Sequence, residues 1–81
     1  MTNSQIFDLI CDRLQEAAQA KGAKETRVER ETVILGGQLL VDSLDLAAIV
    51  VELESVTGRD PFKDGFVNFR TVGELVDLYV E

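Results

Sequence analysis

Few side chains in this 81-residue chain could do chemistry on a substrate. It contains no histidine, which removes the commonest general base and the usual serine and cysteine hydrolase arrangements. Cys11 is the sole cysteine, so an internal disulfide framework and the usual ligands of a structural zinc are both missing. Four residues after Phe7 and three before Leu14, Cys11 reads as a small core hydrophobe rather than a reactive thiol. Asp60, Asp64 and Gly65 echo a calcium loop, but Phe62 and Thr71 stand where two of its ligands belong. No metal site is expected. Ser43, in Asp42-Ser43-Leu44-Asp45, lacks the Gly-x-Ser-x-Gly elbow of a nucleophile. One reading makes it a helix starter, since Asp and Ser are both favoured at an N-cap. The other makes it an exposed hydroxyl that accepts a phosphate-linked group, whose charge then faces the positive end of a helix.

Composition narrows the classes further. The length allows one domain, residues 1–81. A domain of this size buries only about 60% of the surface its unfolded chain exposes, so its core must be small. Eight Lys plus Arg against fifteen Asp plus Glu give a net charge of −7, which repels nucleic acid and anionic lipid and favours basic proteins as partners. The charge is uneven: residues 1–41 carry six acids and five bases, residues 42–81 nine acids and three bases. Electrostatic recognition is therefore expected in the second half. The first twenty residues have no basic leader, and Asp8 and Asp12 interrupt their apolar positions. The longest apolar run, 46–51, is too short for a bilayer. A monomeric cytoplasmic protein of a reducing compartment, with no membrane or nucleic-acid partner, is the expectation.

The elements that must position Ser43 follow from periodicity. Residues 3–20 read as an amphipathic helix, with Thr2 and Gln5 at capping-box spacing, Ile6, Phe7, Ile10, Leu14, Ala17 and Ala18 on one face, and Gly22 as its stop. A long connection follows to residue 41, which Val33, Ile34 and Leu35 should pin to the core. A strand at 27–29 would lack a partner. The second helix should begin at Asp42-Ser43, run to Val56 or Thr57 and stop at Gly58. It has two apolar stripes: Leu46, Ile49, Val50, Leu53 and Val56, and Leu44, Ala47, Ala48 and Val51. A surface helix needs one buried face, so the second stripe is either another core contact or a docking surface. Residues 59–70 should form a loop, turned by Asp60 at Pro61, that holds a short irregular helix with Phe62, Phe66 and Phe69 as core plugs. Thr71 and Glu74 cap the last helix, which buries Val72, Leu75, Val76 and Tyr79. The sum is an all-α fold: a small bundle of three main helices plus a short third helical segment, four helices in all, with a long loop between helices 1 and 2.

This whole pattern resembles the acyl carrier proteins. The resemblance rests on Asp42-Ser43-Leu44-Asp45 at the start of the second helix, Leu53-Glu54 within it, the phenylalanine-bearing segment after it, and the length, acidity and long first connection of the chain. It implies that Ser43 is joined through its hydroxyl to 4′-phosphopantetheine, donated by coenzyme A through a phosphopantetheinyl transferase. The arm would carry its cargo as a thioester, and chemistry would happen in partner enzymes, so the chain itself is not expected to be an enzyme. By position Asp42 and Asp45 flank the attachment site, and Leu44, Ala47 and Val51 match the family's apolar docking face. Asp45, Glu52 and Glu54 would supply negative potential towards basic partners.

Two departures bear on the cargo. Leu40 stands where family members commonly have a glycine, three residues before the serine, and Ala48 stands where an acid is common. They favour a specialised carrier, and Gly58-Arg59-Asp60-Pro61-Phe62 resembles carriers dedicated to aminoacyl or secondary-metabolite loading, so an aminoacyl cargo loaded by a standalone amino-acid-activating ligase is the preferred expectation. The alternative is a fatty-acid or polyketide carrier served by an acyl-activating ligase and a downstream acyltransferase or synthase. The rival from another class is an acidic helical interaction module, without a prosthetic group, in which Ser43 is only a cap.

Overall fold

The computed structural model describes residues 2–80 apart from 25, 26, 37, 38, 64 and 66. Three helices run in the order α1 (Asn3–Ala20), α2 (Ser43–Thr57) and α3 (Val72–Tyr79), and α1 packs against both of the others. Each begins with a reciprocal capping box. Thr2 with Gln5 and Thr71 with Glu74 act as the spacing predicts, and Asp42 with Asp45 does the same for α2. At the end of α1, Lys21 is the C-cap, Gly22 takes a φ of +95°, and the Ala23 N–H returns to the Ala18 carbonyl at 3.1 Å. Gly58, in left-handed backbone, ends α2.

Ile6, Ile10, Leu14 and Ala18 repeat every four residues along α1 and are fully buried. They meet Leu46, Ile49 and Leu53 of α2 and Val72, Leu75, Val76 and Tyr79 of α3 in one core. Cys11 lies half-buried at the edge of the α1 stripe, its thiol 4.0 Å from the Val28 carbonyl.

The long connection is tied down by more than apolar side chains. Val33 and Thr71 form an isolated antiparallel bridge. The Ile34 N–H donates to the Arg70 carbonyl at 2.9 Å, and the Val72 and Gly73 N–H groups donate to the Thr32 and Arg30 carbonyls at 3.0 and 2.8 Å. Gly73 eases this approach, because a Cβ there would stand 3.1 Å from the Arg30 carbonyl oxygen, a tighter contact than most side chains make. Of the three expected anchors Ile34 is buried, Val33 is half-buried, and Leu35 is 43% exposed. Leu39 joins the core instead.

The expected short third helix is a correction. Among the described residues, 59–70 contain turns and no helix. The Asp60 carboxylate accepts from the Phe62 N–H, and the Asp60 carbonyl accepts from the Lys63 N–H. A second turn closes from the Gly65 N–H to the Phe62 carbonyl, with Gly65 at a φ of +134°. Pro61 and the competing Asp60 side chain favour these turns over a helical ladder. Phe62 and Phe69 still pack on the core, with ring centroids 6.0 Å apart. Phe66 and Asp64 lie outside the described residues.

Candidate functional site

The start of α2 is built by two aspartates. Asp42 is the N-cap, in extended backbone, and its Oδ1 accepts from the Leu44 and Asp45 N–H groups at 3.0 Å each. Asp45 returns the bond, its Oδ2 accepting from the Asp42 N–H at 3.1 Å. From the end of α1, the Lys21 ammonium reaches both carboxylates: it pairs with Asp45 and lies 3.6 Å from Asp42 Oδ2. Ser43 is therefore the first residue of the helix and not its cap. It is exposed, and among the described residues its hydroxyl makes no hydrogen bond.

Ser43 borders a groove of about 680 Å³ between α2 and the segment 62–70. Leu46, Ala47, Val50 and Val51 form its α2 wall, Ile34 and Leu35 come from the long connection, and Phe62, Gly65, Phe69 and Arg70 line the far side. Apart from Ser43, the only polar or charged side chain among these is that of Arg70.

The expected partner residues divide into three groups. Ser43, Ala47 and Val51 share the groove side. Leu44, 79% exposed, and the exposed Glu54 stand free of that groove, and Val51 is itself 66% exposed. Asp45 and Glu52 border a separate depression between α1 and α2, with Arg13, Glu16 and Ala48. There Arg13 Nε donates to both Glu52 oxygens, at 2.8 and 3.0 Å. This bond holds the Glu52 carboxyl below its usual range. Two of the acids expected to project negative potential are thus paired with α1.

The second apolar stripe of α2 is not a core contact within the chain, since Leu44, Ala47, Ala48 and Val51 are all exposed. Val56, placed with the core stripe by its spacing, is 47% exposed. Periodicity left out Lys21 and Arg70. The Asp-x-x-Asp spacing of 42 and 45 was the available signal for the cap. Cys11 has a thiol pushed up to about 11, by burial first and by Asp8 and Asp12 second, which suits a packing residue. Among the described residues no cluster of three or more His, Cys, Asp or Glu side chains could hold a metal, and no helix is long and apolar enough to cross a membrane.

Comparison with known proteins gives one informative match. The chain is similar to the solution structure of MacpD, an acyl carrier protein from Pseudomonas fluorescens involved in mupirocin biosynthesis. The identity is 32%, the TM-score is 0.66, and the match covers 95% of this chain and 73% of that one. No family model and no curated protein sequence matches. With a solved relative at this identity and coverage, and with the helix order and groove described above, the chain belongs to the acyl carrier proteins.

Proposed function

We propose that this carrier protein holds an acyl group as a thioester on a 4′-phosphopantetheine arm attached to Ser43, and presents it to partner enzymes without catalysing a reaction itself. One observation carries the reading: Asp42 does the capping, so the exposed Ser43 hydroxyl is left without a structural duty at the edge of an apolar groove. When bound, the arm supplies a thiol that activates an acyl group as a thioester.

The residues fit such an arm. On a phosphopantetheinyl transferase, Ser43 Oγ would give its proton to a base of that enzyme and form a bond to phosphorus. The phosphoanhydride of coenzyme A breaks in the same step, and its nucleotide half leaves. The resulting phosphodiester stands at the positive end of α2. Asp42 and Asp45 oppose its charge, and Lys21 offsets them.

Groove chemistry favours an acyl cargo. An apolar chain gains by leaving water for a groove walled by Leu46, Val50, Phe62 and Phe69. A small aminoacyl group, the cargo favoured by segment 58–62, would leave those walls without an occupant. Aminoacyl loading by a standalone ligase is the second reading. Leu44, Ala47 and Val51 then form the face that meets the transferase, the ligase and a downstream acyltransferase or synthase, with Asp42 and Glu54 at its margins. The working form is a cytoplasmic monomer.

The test is incubation of the unmodified protein with coenzyme A and a broad-specificity phosphopantetheinyl transferase, followed by intact mass. A gain of one phosphopantetheine unit, absent in Ser43→Ala, is expected. No gain, together with partner binding that survives Ser43→Ala, would favour a plain interaction module. Parallel loading with acyl- and amino-acid-activating ligases separates the two cargo readings.

A further inference from the structure

Ligand grooves are mostly apolar, and their few polar groups fix orientation and specificity. Among the described residues that line the groove beside Ser43, two carry such groups, and the first is the attachment point. We propose that the second, Arg70, is a specificity-determining residue: its guanidinium receives a carboxylate on an acyl chain laid in the groove, so the preferred cargo is a carboxylated acyl group rather than a plain hydrocarbon one. This rests on the reading of Ser43 as the tether.

Arg70 is an exposed residue held at its backbone. Its carbonyl accepts from the Ile34 N–H at 2.9 Å, and its N–H donates to Glu74 Oε1 at 3.2 Å, beside the Thr71 cap. The guanidinium makes no hydrogen bond or ion pair among the described residues. Three other arginines are engaged, Arg13 with Glu52 at 2.8 Å, Arg27 with Glu29 at 3.0 Å and Arg30 with Asp77 at 2.9 Å; Arg59 shows no such pair among the described residues, but it lies away from the groove. Glu74 lies within reach of the charge of Arg70, and its Oε1 accepts from two backbone N–H groups and the Thr71 hydroxyl rather than from the guanidinium.

Chemistry selects the occupant. Arg70 is exposed at the groove's edge, where hydrocarbon gains nothing from its charge, whereas a carboxylate meets its planar fork with two parallel charge-assisted bonds. The amino group of an aminoacyl cargo would be repelled. In a chain of net charge −7, an anionic cargo would otherwise be disfavoured near the surface, so one cation at the groove's edge changes the preference locally. The phosphodiester of the arm offers the same anionic oxygens, so the test must separate the two sources.

The protein is loaded by transferase with coenzyme A itself, with octanoyl coenzyme A, and with the 7-carboxyheptanoyl thioester of equal length, each confirmed by intact mass. Two quantities are read in the native chain, Arg70→Gln and Arg70→Lys: the rate of thioester cleavage by hydroxylamine, and (in the native chain) the NMR shift of Arg70 Nε–Hε. The carboxylated cargo should be cleaved about two- to fivefold faster in Arg70→Gln than in the native chain, the effect of a partly exposed ion pair. Arg70→Lys should be intermediate, and octanoyl cleavage should be unchanged. The Nε–Hε resonance should move only with the carboxylated cargo. Equal effects on both chains, no effect on either, or a full shift with the unloaded arm would overturn the proposal, the last by assigning Arg70 to the phosphodiester. Failure to gain mass would overturn the Ser43 reading as well.

Discussion

Asp42 caps the helix that Ser43 opens: its Oδ1 takes the N–H groups of Leu44 and Asp45 at 3.0 Å each, and the hydroxyl of Ser43, next to it in sequence, makes no hydrogen bond among the described residues. The two neighbours therefore divide the work at the mouth of α2. The aspartate holds the helix end and the serine is left exposed for modification. A serine that served as the cap would have to give up its structural bond to become modified, whereas here the two roles do not compete.

That division predicts opposite effects of two adjacent substitutions. Asp42→Ala should cost about 1 kcal/mol of stability, the usual loss for an N-cap. Ser43→Ala should stay within about 0.5 kcal/mol of the native chain, as an exposed position without partners does. Urea denaturation curves compare them directly, and an equal loss in Ser43→Ala would return it to a capping role.

The docking stripe should separate binding from folding. Leu44 and Val51 are 79% and 66% exposed, so Leu44→Ala and Val51→Ala should leave stability within about 0.5 kcal/mol. Each should lower transferase kcat/KM about fivefold if it contributes roughly 1 kcal/mol to docking. Unchanged kinetics would place the docking surface elsewhere.

Cys11 should be distinguishable from the thiol of an attached arm. With its thiol raised to about 11, its thiolate fraction at pH 8 is roughly 200-fold below that of an ordinary cysteine. The greater nucleophilicity of a more basic thiolate returns about fifteenfold, leaving alkylation roughly tenfold slower before steric shielding. Iodoacetamide kinetics followed by peptide mass should show this, and labelling of Cys11 at the rate of a free thiol would contradict its packing role.

Acid should weaken two specific contacts. The carboxyls of Glu52, held by Arg13, and Glu74, held by the N–H groups of Arg70 and Thr71 and by the Thr71 hydroxyl, are both lowered from 4.5. A depressed carboxyl contributes stability that is full above the unfolded value and is lost as pH falls through the folded one. Thermal midpoints of the native chain and of the double variant Glu52→Gln, Glu74→Gln should therefore converge below about pH 4.5, with the native chain higher at neutral pH. A constant difference between pH 7 and pH 3 would refute the assignment.

How far the sequence reveals this molecule depends on how local each feature is. The ends of α1 and α2, the α3 cap and the buried faces follow from capping residues and four-residue spacing, which act within one helix. Three phenylalanines, Phe62, Phe66 and Phe69, suggest a short irregular helix that plugs the core with their rings. Asp60, Pro61 and Gly65 outweigh that pattern by closing turns among themselves. Lys21 over the α2 cap and Arg70 in the groove were not legible, because each depends on segments brought together from a distance. For Arg70 the organising contact is the run of hydrogen bonds between residues 30–34 and 70–73, and no local propensity announces it. Ser43 was legible by type and position, while its lack of a capping duty required the backbone geometry of Asp42.

The most direct test of the account is to locate the modification within the chain. The protein, converted by transferase and coenzyme A, is digested with trypsin, and the peptide from Glu31 to Arg59 is fragmented by tandem mass spectrometry. It contains Thr32, Ser43, Ser55 and Thr57 as competing hydroxyls. All of the added phosphopantetheine is predicted on Ser43. Its appearance on another hydroxyl, or an unmodified peptide under conditions where a known carrier is fully converted, would contradict the account.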